Sequence, residues 1–233
     1  MQSRSRPVRD LLPWLTCLAM LAAIYLVFVA VPSEREQGVV QRIFYFHVGA
    51  AWMAFAGFAL VAVASLWFLA RGDRRADRLA LANAEVGMLY TTIVLVTGPI
   101  WARPVWGVWW TWDPRLTMTV VLWTIYAAYL MLRRLGGGDE ALGRYAAVLG
   151  IVGALDVPLI IVSIRLWRGI HPAVMLAKEP DAGLKDPTMK IALLVSGLAL
   201  ALLFTWLVSL RMRLQKVDDE LARLNLEATP RMR

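Results

Sequence analysis

Residues 48–70 read VGAAWMAFAGFALVAVASLWFLA, twenty-three positions without a charge. As an α-helix rising 1.5 Å per residue the run is about 34 Å long, enough to cross a hydrocarbon core of roughly 30 Å. Five more stretches pass the same test: Leu11–Val31, Leu79–Trp101, Leu116–Leu135, Tyr145–Ile164 and Ile191–Leu210. The expected fold is therefore an all-α integral membrane protein with six transmembrane helices. Arg4, Arg6 and Arg9 precede the first run, as in a secretory signal. That run exceeds the 7–15 residues of a signal core, so an uncleaved first span is expected.

Composition supports this reading. Of 233 residues, 59% are apolar and 18% charged, where soluble domains hold about 45–50% and 25%; the mean hydropathy is +0.58. The single cysteine, Cys17, excludes an intramolecular disulfide, a CxxC pair and a cysteine-based metal site. There is no CxxCH for covalent haem and no GxxxxGK[ST] for ATP. The net charge of +8 would suit nucleic acid in a soluble chain. Here it reads as topology and contact with anionic lipid, with no nucleic-acid partner expected.

Charge bias sets the expected orientation. Both termini and the two loops on their side hold 16 of the 25 basic residues. Positive charge stays cytoplasmic, so both termini are expected inside. Outside lie three loops, 32–47, 102–115 and 165–190, each too short for a core of its own. The expected division is a six-helix membrane domain over 1–210 and a cytoplasmic amphipathic tail over 211–233. Leu210, Leu214, Val217, Leu221 and Leu224 form an apolar stripe at helical spacing in that tail. It suits either the membrane surface or a partner subunit.

The second outer loop carries the densest chemical signal: Trp106, Gly107, Trp109, Trp110, Trp112, Asp113, Pro114 and Arg115. Counting Trp101, five of the eleven tryptophans fall within twelve residues. An interfacial aromatic belt spreads its tryptophans over several helix ends; these gather in one loop. Such a wall of ring faces, with charge at its rim, suits a large, flat, apolar ligand. The chain has two histidines, His47 and His171, one in each flanking outer loop. A lone interfacial histidine is usually an ordinary polar residue. One on either side of a Trp-rich loop suits haem, whose iron takes an axial ligand on each face. Arg42, Arg103, Arg115 and Arg168 are all candidates to meet the haem propionates.

The segment Trp106–Thr117, W-G-x-W-W-x-W-D-x-R-L-T before a span, resembles the Trp-rich signature of cytochrome c assembly proteins, and within them the CcmC family. The likeness covers essentially the whole chain, including the Tyr45-Phe46-His47-Val48 element and a histidine in the last outer loop. Two departures are Gly49, where many members have proline, and Leu166-Trp167, where many have a Trp pair. The resemblance implies that His47 and His171 are axial ligands of non-covalent haem b. It implies that Trp106, Gly107, Trp109, Trp110, Trp112 and Asp113 form the haem platform, with Arg115 beside it. It further implies delivery of haem to the periplasmic chaperone CcmE, within an inner-membrane ABC-type complex with CcmA, CcmB and CcmD, by a subunit that is not itself an enzyme. A haem lyase of the same superfamily is one rival, though those relatives are usually larger. An electron-transfer cytochrome b is another, disfavoured because no histidine lies inside a span.

Two carboxylates fall within spans, Asp156 and Glu85. Ionisable groups at that depth call for a partner or a role. Glu85 is within reach of arginines at the inner face, and Asp156 is followed by a kinking Pro158.

Overall fold

The computed structural model describes residues 7–34, 37–136, 139–167, 184 and 186–228. Seven α-helices build it: α1 (Pro7–Tyr25), α2 (Arg42–Arg71), α3 (Arg74–Trp106), α4 (Pro114–Leu135), α5 (Glu140–Ala154), α6 (Asp156–Leu166) and α7 (Pro187–Ala228). A π-helical turn, Leu26–Ala30, extends α1, and a 3-10 turn, Val39–Gln41, leads into α2. Six stretches are long and apolar enough to cross a membrane: Leu11–Ala30, Val39–Arg71, Arg74–Trp106, Pro114–Leu135, Glu140–Ser163 and Pro187–Asn225. These are the six expected spans, several extended by one or more turns.

The ends follow from local chemistry. Asp73, Asp113 and Asp139 cap α3, α4 and α5, each accepting from backbone N–H groups that have no partner inside the helix. Gly72 (φ 65°) ends α2, and Gly107 (φ 76°) ends α3, both in the left-handed conformation that suits glycine. The fifth span is two helices because Pro158 cannot donate to the carbonyl of Ala154 and its ring crowds that oxygen. The chain turns at Leu155 and restarts at Asp156. Pro99 and Pro104, by contrast, lie within the unbroken α3.

Helix α2 is the hub, packing against α3, α5 and α7, while α1 lies on α7. Small residues bring backbones together. A Cβ added to Gly57 would stand 2.9 Å from the Phe204 ring, and one on Gly49 would stand 2.7 Å from Leu200. Phe58 and Tyr126 stack at 3.8 Å in the centre. The hydroxyl of Tyr90 donates to the Leu200 carbonyl at 2.9 Å, and that of Tyr126 to the Gly150 carbonyl at 2.8 Å. Interhelical hydrogen bonds in a bilayer average only about 0.6 kcal/mol, so close packing carries most of the assembly. The outward faces are apolar: Leu18, Leu21, Val63, Leu194 and Leu198 are all more than half exposed, which suits lipid and not water.

Charged groups gather at the end opposite the Trp-rich loop. Arg133 grips Asp77 with two bonds, of 2.7 and 2.8 Å, and Arg78 meets Asp219 at 2.8 Å. Glu85 is held by two nitrogens of Arg211, so its cost within a span is met by an ion pair. The segment from Arg211 is continuous with the last span to Ala228. Its polar face, with Arg211, Gln215 and Asp219 at four-residue spacing, turns to the bundle, whereas Leu214, Val217, Leu221 and Leu224 stay about half exposed. Asp156 is buried, and its Oδ2 has no hydrogen-bond partner.

Candidate functional site

At the Trp-loop end the helices part around a small, mainly apolar cavity of about 60 Å³ that opens to the outside. Its walls come from three periodic faces. His47, Ala51, Ala54 and Phe55 line it from α2; Thr91, Val94, Leu95, Gly98 and Ala102 from α3; Arg115, Thr119 and Leu122 from α4. Spacings of three and four place each set on one side of its helix. Alanine and glycine at four of these positions leave the space. Ile160 of α6 closes one side, and Trp106, Trp109 and Trp110 cover the mouth. Pro99 lacks an N–H, which leaves the Leu95 carbonyl without a helical partner on the same wall.

His47 does not lie in the outer loop as expected: α2 and its span begin before it, and at 5% exposure its imidazole serves the interior. Its Nδ1 lies 2.8 Å from Thr97 Oγ1, and its ring rests against Trp101 with centroids 5.9 Å apart. Trp101 is itself fixed: Nε1 donates to Gln37 Oε1 at 3.0 Å, and Phe44 and Trp106 pack on its ring at 5.8 and 5.5 Å. The imidazole is thus backed by a cluster of tilted and edge-on aromatic rings that a loose belt would not provide.

The loop separates into two groups. Trp106, Trp109, Trp110 and Arg115 join His47 at the cavity, while Gly107, Trp112 and Asp113 are not on its wall. Trp112 is 75% exposed and stands edge-on to Trp110 at 5.6 Å. Trp106 belongs to the last turn of α3, not to the loop. Asp113 spends its carboxylate on the backbone. Oδ1 accepts from Arg115 N and Leu116 N at 3.0 and 3.1 Å, and Oδ2 accepts from the Thr111 hydroxyl at 3.0 Å. Asp113 therefore shapes the loop, and an α4 begun at Pro114 carries Arg115 to the cavity. Of the four arginine candidates, Arg115 lines the cavity. Arg103 donates to the Gly107 carbonyl, and Arg42 lies over the Phe28 ring at 6.0 Å. His171 and Arg168 lie outside the described residues.

The donor set fits an amphipathic macrocycle. It offers apolar walls, aromatic faces, one imidazole and one guanidinium that has no ion-pair partner among the described residues. Trp110 also lines the cavity, and its buried Nε1 has no hydrogen-bond partner, a donor without an acceptor. The described residues hold no cluster of three or more His, Cys, Asp or Glu side chains for a bare metal ion.

The sequence profile of heme exporter protein C, CcmC, matches residues 2–227. The chain belongs to the heme exporter protein C family. It is similar to the heme exporter protein C of Bradyrhizobium diazoefficiens, with 33% identity over 224 residues, 95% of this chain and 84% of the relative. It is 32% identical to those of Escherichia coli K12 and Rhodobacter capsulatus, over 87% of this chain and 82% and 85% of theirs. As a CcmC-family member it is a multi-pass membrane protein. At Gly49 a Cβ would meet the Leu200 side chain of α7, which would have to shift.

Sequence reasoning missed Thr97, Gly98 and the small-residue walls of α2 and α3. The signal was present as alanines and glycines at helical spacing on the same turns as His47 and Trp101. In an apolar span that pattern is indistinguishable from helix packing until the facing helix is known.

Proposed function

We propose that this chain holds haem b non-covalently at the periplasmic end of the bundle and hands it to the chaperone CcmE during cytochrome c maturation. Both termini lie in the cytoplasm, and the complex includes CcmA, CcmB and CcmD in the inner membrane. Family membership supports a role in haem delivery. The observation that carries the finer reading is the convergence of His47, three tryptophans and Arg115 on one apolar cavity.

In this reading His47 and His171 are the residues that would hold the iron. Tryptophan faces contact the macrocycle, and Arg115 meets a propionate through a charge-assisted bond. The Trp110 N–H is a second donor for a carboxylate. Trp112, exposed beside Trp110, is placed to meet an incoming protein. The chain's work is positioning: it orients the haem, keeps water from its apolar face, and leaves one edge for the acceptor. ATP hydrolysis on a neighbouring subunit releases the loaded chaperone.

Co-purification of the assembled complex tests this. The expected result is non-covalent haem on this chain together with trapped, haem-bearing CcmE. Haem attached covalently to apocytochrome by this chain, without CcmE, would instead make it a lyase.

A further inference from the structure

The two ring nitrogens of His47 meet different surroundings. Nδ1 lies 2.8 Å from Thr97 Oγ1, and Thr97 is not on the cavity wall, so Nδ1 turns away from the cavity. The same Oγ1 lies 2.7 Å from the carbonyl oxygen of Ile93, one turn earlier in α3. A hydroxyl has one hydrogen, and a carbonyl oxygen can only accept. With the Thr97 hydrogen given to Ile93, the hydroxyl accepts from His47. In that arrangement Nδ1 carries the ring hydrogen, and Nε2 is left as a bare lone pair.

The ring also has neighbours on two sides. Trp101 lies against one side, and a Cβ on Gly98 would stand 3.4 Å from His47 Cε1. Thr97 and Gly98 are consecutive, so a single turn of α3 sets both the tautomer of His47 and the space its ring occupies.

We propose that Thr97 is a positioning residue for haem: it holds His47 as the Nδ1–H tautomer with Nε2 free for iron, and its hydrogen bond strengthens the imidazole as a donor. This rests on the reading that His47 binds haem iron. A partner on the far nitrogen of a ligating histidine fixes ring orientation and raises ligand basicity. A more basic axial ligand favours the ferric form, so loss of the bond raises the midpoint potential.

The test uses the full chain with its partner subunits, as wild type, Thr97→Val, Thr97→Ser and His47→Ala. Valine keeps the shape of threonine and removes the acceptor; serine keeps the hydroxyl. Haem affinity, midpoint potential and thermal unfolding are measured on each. Thr97→Val is expected to bind haem about ten-fold more weakly and to titrate at a higher potential, with Thr97→Ser restoring both. A residue that only packs would shift the unfolding temperature and leave the potential unchanged. The proposal is overturned if His47→Ala loses the haem signature while Thr97→Val keeps wild-type affinity and potential. It is equally overturned if a folded Thr97→Ser behaves like valine. Wild-type haem in His47→Ala would instead overturn the ligand assignment on which the proposal stands.

Discussion

Asp113 Oδ1 accepts the backbone N–H of Arg115 at 3.0 Å, while Arg115 itself lines the cavity that holds His47. The carboxylate closes the first turn of α4, and that turn brings the guanidinium to the site. One residue is a cap and the other a contact.

The cap predicts a graded response at position 113. Asp113→Ala is expected to cost about 1 kcal/mol of stability, the usual loss for an N-cap, and to loosen the Trp loop. Asp113→Asn keeps a capping acceptor and is expected to retain most stability and most haem. Thermal unfolding and haem retention in detergent check both. Equal impairment of the two variants would mean that the negative charge of Asp113, and not its cap, is what the site needs.

Arg115 is expected to act through the propionates. Arg115→Met should lower haem affinity by about ten-fold or more, in line with roughly 1.5–3 kcal/mol for a hydrogen bond to a charged group. Titration with a haem whose propionates are esterified should show little difference between wild type and variant. An equal loss with the ester would make Arg115 a packing residue.

Orientation is checked with single cysteines in a Cys17→Ser background. Trp112→Cys, at a 75% exposed site, is expected to react with a membrane-impermeant maleimide in intact spheroplasts. Leu221→Cys, at a 53% exposed site, should react only after permeabilisation. The reverse pattern would place the cavity on the cytoplasmic side.

The six spans were legible because a bilayer demands long apolar runs, and each left one. The division at Leu155 was half legible: Pro158 announced a kink, but a break into α5 and α6 depends on how the neighbouring helices take up the freed backbone groups. Asp113-Pro114 carries a familiar helix-start signature, yet beside so many tryptophans it read as a charged rim. Trp106 read as part of the loop 102–115, although α3 continues through Pro104 to Trp106. The cavity walls were not legible, since Ala51, Ala54 and Gly98 look like any small residues in a span. The stripe from Leu214 to Leu224 was legible as a helix face, but its relation to the bundle was not. The salt bridges from Arg211 and Asp219 decide that the polar face turns inward.

The central claim is that His47 and His171 hold haem iron between them. Absorption and ferric EPR spectra of the purified full chain with its partners, as wild type, His47→Ala, His171→Ala and the double variant, test it most directly. The account predicts a six-coordinate low-spin haem in the wild type and loss of that signature in each single variant. Added imidazole should restore it in the singles, and the double variant should retain little haem. Wild-type haem content and low-spin ligation in both single variants would contradict it.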